Sequence, residues 1–177
     1  YKKDYDKNIS EITQYVVLAK KLGTPYIRVL GDLHPQAEGE VDDGFVASCL
    51  RLLGTIAQGF GVTLLVETNG VYADSARLAA LLDQVNMPSV QALWDMHHPF
   101  RYFGESAETT VANLGQYIKY VHVKDSVVVD GEAQYRMIGE GDQPLMEMLD
   151  ALRGIGYDGY ISLEWVKRWA GYLSAAG

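Results

Sequence analysis

The sequence predicts an α/β fold built on a parallel sheet, because short apolar segments alternate with amphipathic ones along most of the chain. The short segments are apolar on both faces, which is typical of parallel strands covered by helices. They span residues 25–30, 62–68, 90–96, 118–125 and 159–165. Helical spacing of apolar residues predicts the intervening helices, over residues 9–22, 44–58, 74–85, 107–115 and 144–155. This pattern leaves both a doubly wound sheet and a barrel open.

The boundaries of these elements follow from capping and turn residues. Gly23 ends the first helix, and Asp42 or Asp43 caps the second. Residues 127–137 predict a β-hairpin around an Asp-Gly turn. Pro144 begins the last helix, since proline is favoured in a first turn.

Composition limits the classes of function. The chain has 177 residues, 48% of them hydrophobic, so we expect a single domain over residues 1–177. A formal net charge of −8 argues against nucleic acid or an anionic membrane as the main partner. No apolar run reaches the roughly 18 residues of a membrane span. Cys49 is the only cysteine, which excludes an internal disulfide, and we expect a cytoplasmic protein. No glycine-rich phosphate loop follows a strand, which disfavours Rossmann or P-loop nucleotide binding.

Four of the five predicted strands end on a side chain that can bind a metal ion. These side chains are Glu67, Asp95, His122 and Glu164. Active sites of parallel α/β folds lie at the carboxyl ends of the strands, where three carboxylates would repel one another unless a divalent cation compensates them. Oxygen donors with one imidazole suit Mn²⁺, Mg²⁺ or Co²⁺ better than structural zinc, and Zn²⁺ is a further candidate. The alternative is that each residue is solvated where its strand meets a loop.

Other side chains near these strand ends are candidates for substrate contacts. His97 and His98 follow Asp95, and since adjacent side chains point in different directions, we expect one of them to face the cavity. His98 would reach a substrate oxygen; the alternative is a pair of loop histidines. Lys124 lies on the same side as His122 and would bind a substrate hydroxyl or phosphate, or pair with a carboxylate.

The aromatic residues offer one further candidate. Trp165 follows Glu164 directly and is the best candidate for a wall on which a substrate stacks. Trp94 and Trp169 are expected to pack in the core or at its rim. His34 lies just past the first strand, where we expect a plain loop residue.

Five motifs in this order resemble the sugar phosphate isomerase/epimerase superfamily, the xylose isomerase-like TIM barrels. They are Leu-Val-Glu-Thr68, Leu-Trp-Asp-Met-His-His-Pro99, His-Val-Lys-Asp125, Gly-Glu-Gly-Asp142 and Ser-Leu-Glu-Trp165. The resemblance covers about residues 10–168. It implies a TIM barrel whose metal ligands are Glu67, Asp95, His122 and Glu164, with the two glutamates also acting as the acid–base pair. The substrate contacts that it implies are His98, Asn69 and Lys124.

The implied activity is isomerisation or epimerisation of a small sugar or sugar phosphate. A divalent metal would stabilise the developing enediolate, while one glutamate removes the proton beside the carbonyl and the other returns it. An inosose-type dehydratase would use the same residues. An endonuclease of this superfamily would need more than four histidines and a basic surface, so the charge of −8 disfavours it.

The chain departs from this superfamily in its length. A TIM barrel needs eight strands and typically about 250 residues. The strands here correspond to strands four to eight, so we expect an incomplete barrel, and the missing initiator methionine indicates a segment of a longer protein. Two open sheet edges and an apolar interior favour a homo-oligomer. A truncated barrel without turnover is the remaining alternative. Val166 stands where related sequences carry an acidic residue.

Overall fold

Five parallel strands form the central sheet in the computed structural model, which describes residues 4–37, 39–168 and 170–173. In sheet order they are β1 (Tyr26–Val29), β2 (Thr63–Glu67), β3 (Val90–Asp95), β4 (Ile118–Val123) and β7 (Tyr160–Leu163). The remaining two strands form an antiparallel hairpin of β5 (Asp125–Val129) and β6 (Glu132–Arg136). The predicted strands and the predicted hairpin are therefore confirmed.

The helices connect these strands. In the described part of the chain the α-helices are α1 (Tyr5–Leu22), α2 (Asp43–Phe60), α3 (Ser75–Val85), α4 (His97–Phe103), α5 (Ala107–Leu114) and α6 (Leu145–Gly154), and Gly70–Ala73 forms a short 3₁₀ helix. Five of them match the predicted helices to within a few residues. Both cap predictions hold, since Gly23 is left-handed after α1 and the Asp42 side chain accepts from the amide of Phe45 at the start of α2.

The helix α4 was not predicted, and a pair of loop histidines was one of the two alternatives for its first residues. Met96 precedes it and has no side chain of the capping type, and Pro99 lies inside it. Proline is tolerated there because the amides of the first turn have no partner within the helix. Asp95 supplies the missing cap, since its Oδ1 accepts a hydrogen bond of 2.9 Å from the amide of His97.

The order of the strands decides between the two predicted architectures. Within the sheet, each strand lies beside the one that follows it, apart from the inserted hairpin. Alternate strand residues such as Val66, Trp94 and Val121 belong to the core that packs against the helices. The residues between them, such as Leu65 and Leu93, lie outside that core, on the other face of the sheet. The sheet is therefore a half-barrel with helices on its outer face, as expected for an incomplete TIM barrel.

The two edges of the half-barrel are open among the described residues. Strand β1 pairs only with β2, and β7 pairs only with β4. Exposed apolar side chains lie on or near these edge strands, including Leu22, which is 73% exposed, and Tyr160, which is 69% exposed. The inner face below the strand ends carries tyrosines, and the Tyr120 hydroxyl lies 2.5 Å from Ser162 Oγ.

A buried aspartate joins the loops that follow β1 and β2. Asp32 is 2% exposed and accepts hydrogen bonds from the amides of Leu33, at 2.7 Å, and Val71, at 3.1 Å. Gly70 has a φ of +57°, and a Cβ at this position would lie 2.2 Å from an Asp32 carboxylate oxygen. The turn after β2 therefore requires glycine for its backbone conformation and for its close approach to Asp32.

We expect Gly70→Ala to destabilise the protein more than Gly23→Ala. Gly23 also has a positive φ, of +71°, but its surroundings are open, so alanine there costs about 1 kcal/mol for the backbone alone. Gly70→Ala adds the displacement of Asp32 and is expected to cost about 2–4 kcal/mol. Urea denaturation of both variants measures the free energy of unfolding, and equal losses would contradict the role of Asp32.

Candidate metal centre

The four predicted ligands meet at the carboxyl ends of neighbouring strands. Glu67 ends β2 and Asp95 ends β3, His122 lies in β4 opposite Asp95, and Glu164 directly follows β7. The side chains at these positions share the inner face of the half-barrel because strand side chains alternate with a period of two. One donor atom from each residue lies within 4.8 Å of the others.

The donor set fits a divalent cation. It offers three carboxylates and one imidazole, a combination that suits Mn²⁺, Mg²⁺, Co²⁺ or a catalytic Zn²⁺. Glu67 and Asp95 are buried, whereas the side chains of His122 and Glu164 are 16% and 23% exposed. The site is therefore closed on one side and accessible on the side of His122 and Glu164.

Glu67 is held by three neighbours. Arg28 Nη1 donates to both of its oxygens, at 2.9 and 3.2 Å, and Asn69 Nδ2 donates at 3.3 Å. His122 Nδ1 lies 3.0 Å from Oε1. Burial alone would raise the pKa of Glu67, but the His122 hydrogen bond and the Arg28 charge outweigh it, so this pKa lies below its ordinary value. Glu67 is therefore an ionised carboxylate at neutral pH.

Lys124 bridges the other two carboxylates. Its Nζ lies 2.5 Å from Asp95 Oδ2 and 2.5 Å from Glu164 Oε2, and the residue is 3% exposed. Burial alone would lower the pKa of Lys124, but the charges of Asp95 and Glu164 raise it above its ordinary value. Of the two roles left open for Lys124, the structure shows the pairing with carboxylates.

The two adjacent histidines lie in α4, with different surroundings. His98 lines the cleft above the site; its Nδ1 is 2.7 Å from the carbonyl oxygen of Thr68, and its Nε2 is 4.0 Å from Asp95 Oδ2. His97 Nε2 instead lies 3.0 Å from Ser126 Oγ, and its ring packs against Tyr135. Burial lowers the pKa of both imidazoles, to about 2 for His97. One histidine therefore faces the cleft, as predicted, and neither is a loop residue.

A cleft of about 410 Å³, a size suited to a small molecule, opens over two of the donors, Glu67 and Glu164. Its polar floor consists of Arg28, Glu67, Asn69, His98, Lys124 and Glu164, and its apolar wall includes Leu33, Tyr135 and Val166. Asn69 is 8% exposed, and its Oδ1 has no hydrogen-bond partner among the described residues. This oxygen is therefore a buried acceptor that no described residue satisfies.

Neither of the two tryptophans in the described residues lines the cleft. Trp165 packs against a small cluster of Val166, Ala170 and Leu173 and is not among the side chains that line the cleft. Tyr135, from β6, forms the aromatic part of the wall where Trp165 was expected. Trp94 is buried in the core, as predicted, and Trp169 lies outside the described residues. His34 is an exposed loop residue, as expected.

Sequence reasoning missed two residues of the site, Arg28 and Tyr135. Arg28 is a charged residue inside a predicted apolar strand, two positions after Tyr26, and this placement could have assigned it to the inner face. Tyr135 carries no local signal, because only the folding of the hairpin over the strand ends brings it to the cleft.

The hairpin that carries Tyr135 is anchored by two of the recognised motifs. The Asp125 carboxylate accepts hydrogen bonds from the amides of Gly139, at 2.9 Å, and Gly141, at 3.0 Å. A Cβ at Gly141 would lie 1.9 Å from Asp125 Oδ1, so only glycine permits this approach. Within these two motifs, the contacts of Asp125 with Gly139 and Gly141 are structural and hold the hairpin beside the candidate metal centre.

Comparison with known proteins agrees with this architecture. The family described as xylose isomerase-like TIM barrel matches residues 2–176. The chain belongs to this family. An uncharacterized protein of Methanocaldococcus jannaschii is 29% identical over 133 residues, which make up 70% of this chain and 43% of that protein. No helix in the described ranges is long and apolar enough to cross a membrane.

Solved structures of the family superpose on most of the chain. The IolI protein, solved with a bound zinc atom, has a TM-score of 0.76 and 22% identity over 92% of this chain and 61% of its own. A probable 3-DHS dehydratase, AsbF of Bacillus anthracis, has a TM-score of 0.76 and 19% identity over 94% of this chain and 66% of its own. A D-allulose 3-epimerase of Methylomonas sp. has a TM-score of 0.73 and 19% identity over 90% of this chain and 56% of its own. These likenesses show the fold, and the chain spans less than two thirds of each protein.

We expect His122→Ala to weaken Mn²⁺ binding by about 100-fold or more, because it removes the imidazole donor that also contacts Glu67. Isothermal titration calorimetry on the purified chain measures this loss. His34→Ala is the matched control, since His34 is exposed in a loop, and it should bind as the native chain does. Equal affinities of the two variants would contradict the assignment of His122.

Proposed function

We propose that this protein is a metal-dependent isomerase or epimerase that moves a proton beside the carbonyl of a small sugar or sugar phosphate. The observation that carries the proposal is the set of four donor atoms within 4.8 Å, two of them from glutamates. In the sheet order these glutamates come from β2 and β7, with Asp95 and His122 on the two strands between them. Two carboxylates on either side of a substrate position are what a transfer of a proton away from and back to carbon requires.

A bound divalent ion would be held by Glu67, Asp95, His122 and Glu164 and would supply Lewis-acid polarisation of the substrate carbonyl. One glutamate removes the proton beside the carbonyl, and the other returns it from the opposite face or to the adjacent carbon. Glu67 is suited to accept a proton because Arg28 and His122 keep it ionised. Glu164 is 23% exposed, which allows its proton to exchange with water.

The other cleft residues orient the substrate. Asn69 lines the cleft, and its amide group suits a substrate hydroxyl. His98 lies at the cleft with its Nε2 directed toward Asp95 and suits a second substrate oxygen. Tyr135 provides an aromatic wall against which the C–H face of a sugar packs. The Lys124 ammonium group binds the carboxylates of Asp95 and Glu164, so we assign it no direct contact with the substrate.

A dehydratase is the second candidate. Loss of a hydroxyl after proton removal uses the same carboxylates, and a structural neighbour is described as a probable 3-DHS dehydratase. The two activities are distinguished by their products, since only dehydration gives an unsaturated product.

We expect Glu164→Gln and Glu67→Gln each to slow exchange of the substrate C–H proton with solvent by about 10³-fold, because a carboxamide cannot transfer the proton. The measurement is NMR in D₂O with Mn²⁺-loaded protein and a panel of ketoses and ketose phosphates, the chemical shifts also reporting any dehydration. Glu11→Gln, on the exposed face of α1, is the control and should exchange normally. Normal exchange in either site variant with metal bound would reject the acid–base assignment. Absence of exchange in the native metal-loaded chain would favour a barrel without turnover.

We also propose that the chain self-associates through its open sheet edges. Leu22 and Leu163 are 73% and 52% exposed and lie at or near the edge strands β1 and β7, where an unpaired strand is a template for association. Light scattering is expected to show a dimer or larger assembly that Leu163→Glu dissociates, since a charge at the interface is unfavourable. Val128→Glu, at the exposed tip of the hairpin, is the control. A monomeric native chain would contradict the proposal.

A further inference from the structure

A lysine lies inside the proposed metal centre. Lys124 Nζ is 2.5 Å from an oxygen of Asp95 and 2.5 Å from an oxygen of Glu164, and both carboxylates belong to the candidate ligand set. The ammonium group of Lys124 therefore contacts carboxylate oxygens that would also bind a divalent ion.

The charges of the described residues around the site nearly cancel. Glu67, Asp95 and Glu164 carry three negative charges, and Arg28 and Lys124 carry two positive charges. The Arg28 side chain is 41% exposed, so solvent screens it, whereas the Lys124 side chain is 4% exposed. Lys124 is therefore the cation whose charge acts most strongly on the buried donors.

The main chain around Lys124 is held in place. Its carbonyl oxygen accepts a hydrogen bond of 2.5 Å from Gln143 Nε2. The next residue, Asp125, is tied to the amides of Gly139 and Gly141. The backbone that carries Lys124 is therefore anchored on both sides of this residue, and its ammonium group lies between two of the candidate donors.

We propose that Lys124 is an internal counter-cation that holds Asp95 and Glu164 together in the metal-free protein and lowers the affinity of the site for a divalent ion. In the metal-free state the lysine offsets the repulsion between the two carboxylates. When a divalent ion binds, the same positive charge repels it and competes for the same oxygens. The consequence is a site that stays assembled without metal and exchanges its metal readily. This inference rests on the metal centre and is independent of the reaction that it performs.

Replacement of Lys124 by methionine distinguishes two roles of this residue, because one role predicts a higher affinity for Mn²⁺ and the other a lower affinity. If Lys124 is a counter-cation, Lys124→Met removes a repulsive charge and the affinity for Mn²⁺ rises by at least tenfold. If Lys124 only positions Asp95 and Glu164, its loss lets them separate and the affinity falls. Lys119→Met is the matched control, because Lys119 is exposed on the same strand, and it should stay within about twofold of the native affinity.

Titration calorimetry of the native chain and the two variants with MnCl₂ measures these affinities. Thermal unfolding without metal should show Lys124→Met less stable than the native chain, with a larger rise on adding Mn²⁺. An unchanged or weaker affinity of Lys124→Met for Mn²⁺ overturns the inference. A native chain that binds no divalent ion overturns the metal centre itself, and the proposed function with it.

A measurement on the native chain avoids dependence on the folding of a variant. With ¹⁵N-labelled lysine, the buried Lys124 ammonium should give a resonance protected from exchange in the metal-free protein. Addition of one equivalent of diamagnetic Zn²⁺ should shift this resonance. If Zn²⁺ saturates the site and the Lys124 resonance does not change, the ion and the lysine do not compete for the same carboxylate oxygens, and the inference is refuted.

Discussion

The convergence of three carboxylates at the ends of β2, β3 and β7 is the constraint on which the rest of this site depends. Ionised groups at this spacing in a partly buried environment are unfavourable unless opposite charge lies beside them. Arg28 provides that charge for Glu67, and Lys124 provides it for Asp95 and Glu164. The presence of a nearly inaccessible lysine is explained by this requirement, since burial of an ammonium group is costly without such partners.

Neighbouring residues of the motif His-Val-Lys-Asp125 have different functions around these carboxylates. His122 offers a donor atom to the candidate metal centre, Lys124 compensates its carboxylates, and Asp125 binds the backbone amides of Gly139 and Gly141. Asp32 acts similarly in the loop after β1, where it binds the amide of Val71. Acidic residues around the cleft thus fall into two chemical groups, those facing the donors and those holding loops through main-chain hydrogen bonds.

Parts of the fold and site were predictable because they follow from local rules. Strand periodicity places Glu67 and Asp95 on one face, and the carboxyl ends of parallel strands share one edge of the sheet. The helix α4 was not accessible from the usual cap pattern, because Met96 stands at its cap position and Asp95, one residue earlier, supplies the acceptor. Tyr135 was equally inaccessible to sequence reasoning, since the hairpin reaches the cleft through contacts made by Asp125 with distant glycine amides.

The sequence by itself determined the alternation of strands and helices, the family and the four candidate donors, because periodicity and motif order are local properties of the chain. Only the tertiary structure decided that the sheet curves as a half-barrel with helices on one face, since strand order depends on long-range pairing. It also decided the contacts of Lys124 and Trp165. Which carboxylate a lysine pairs with, and whether an aromatic ring faces a cleft or packs beside it, depends on distances between separate segments that no local pattern encodes.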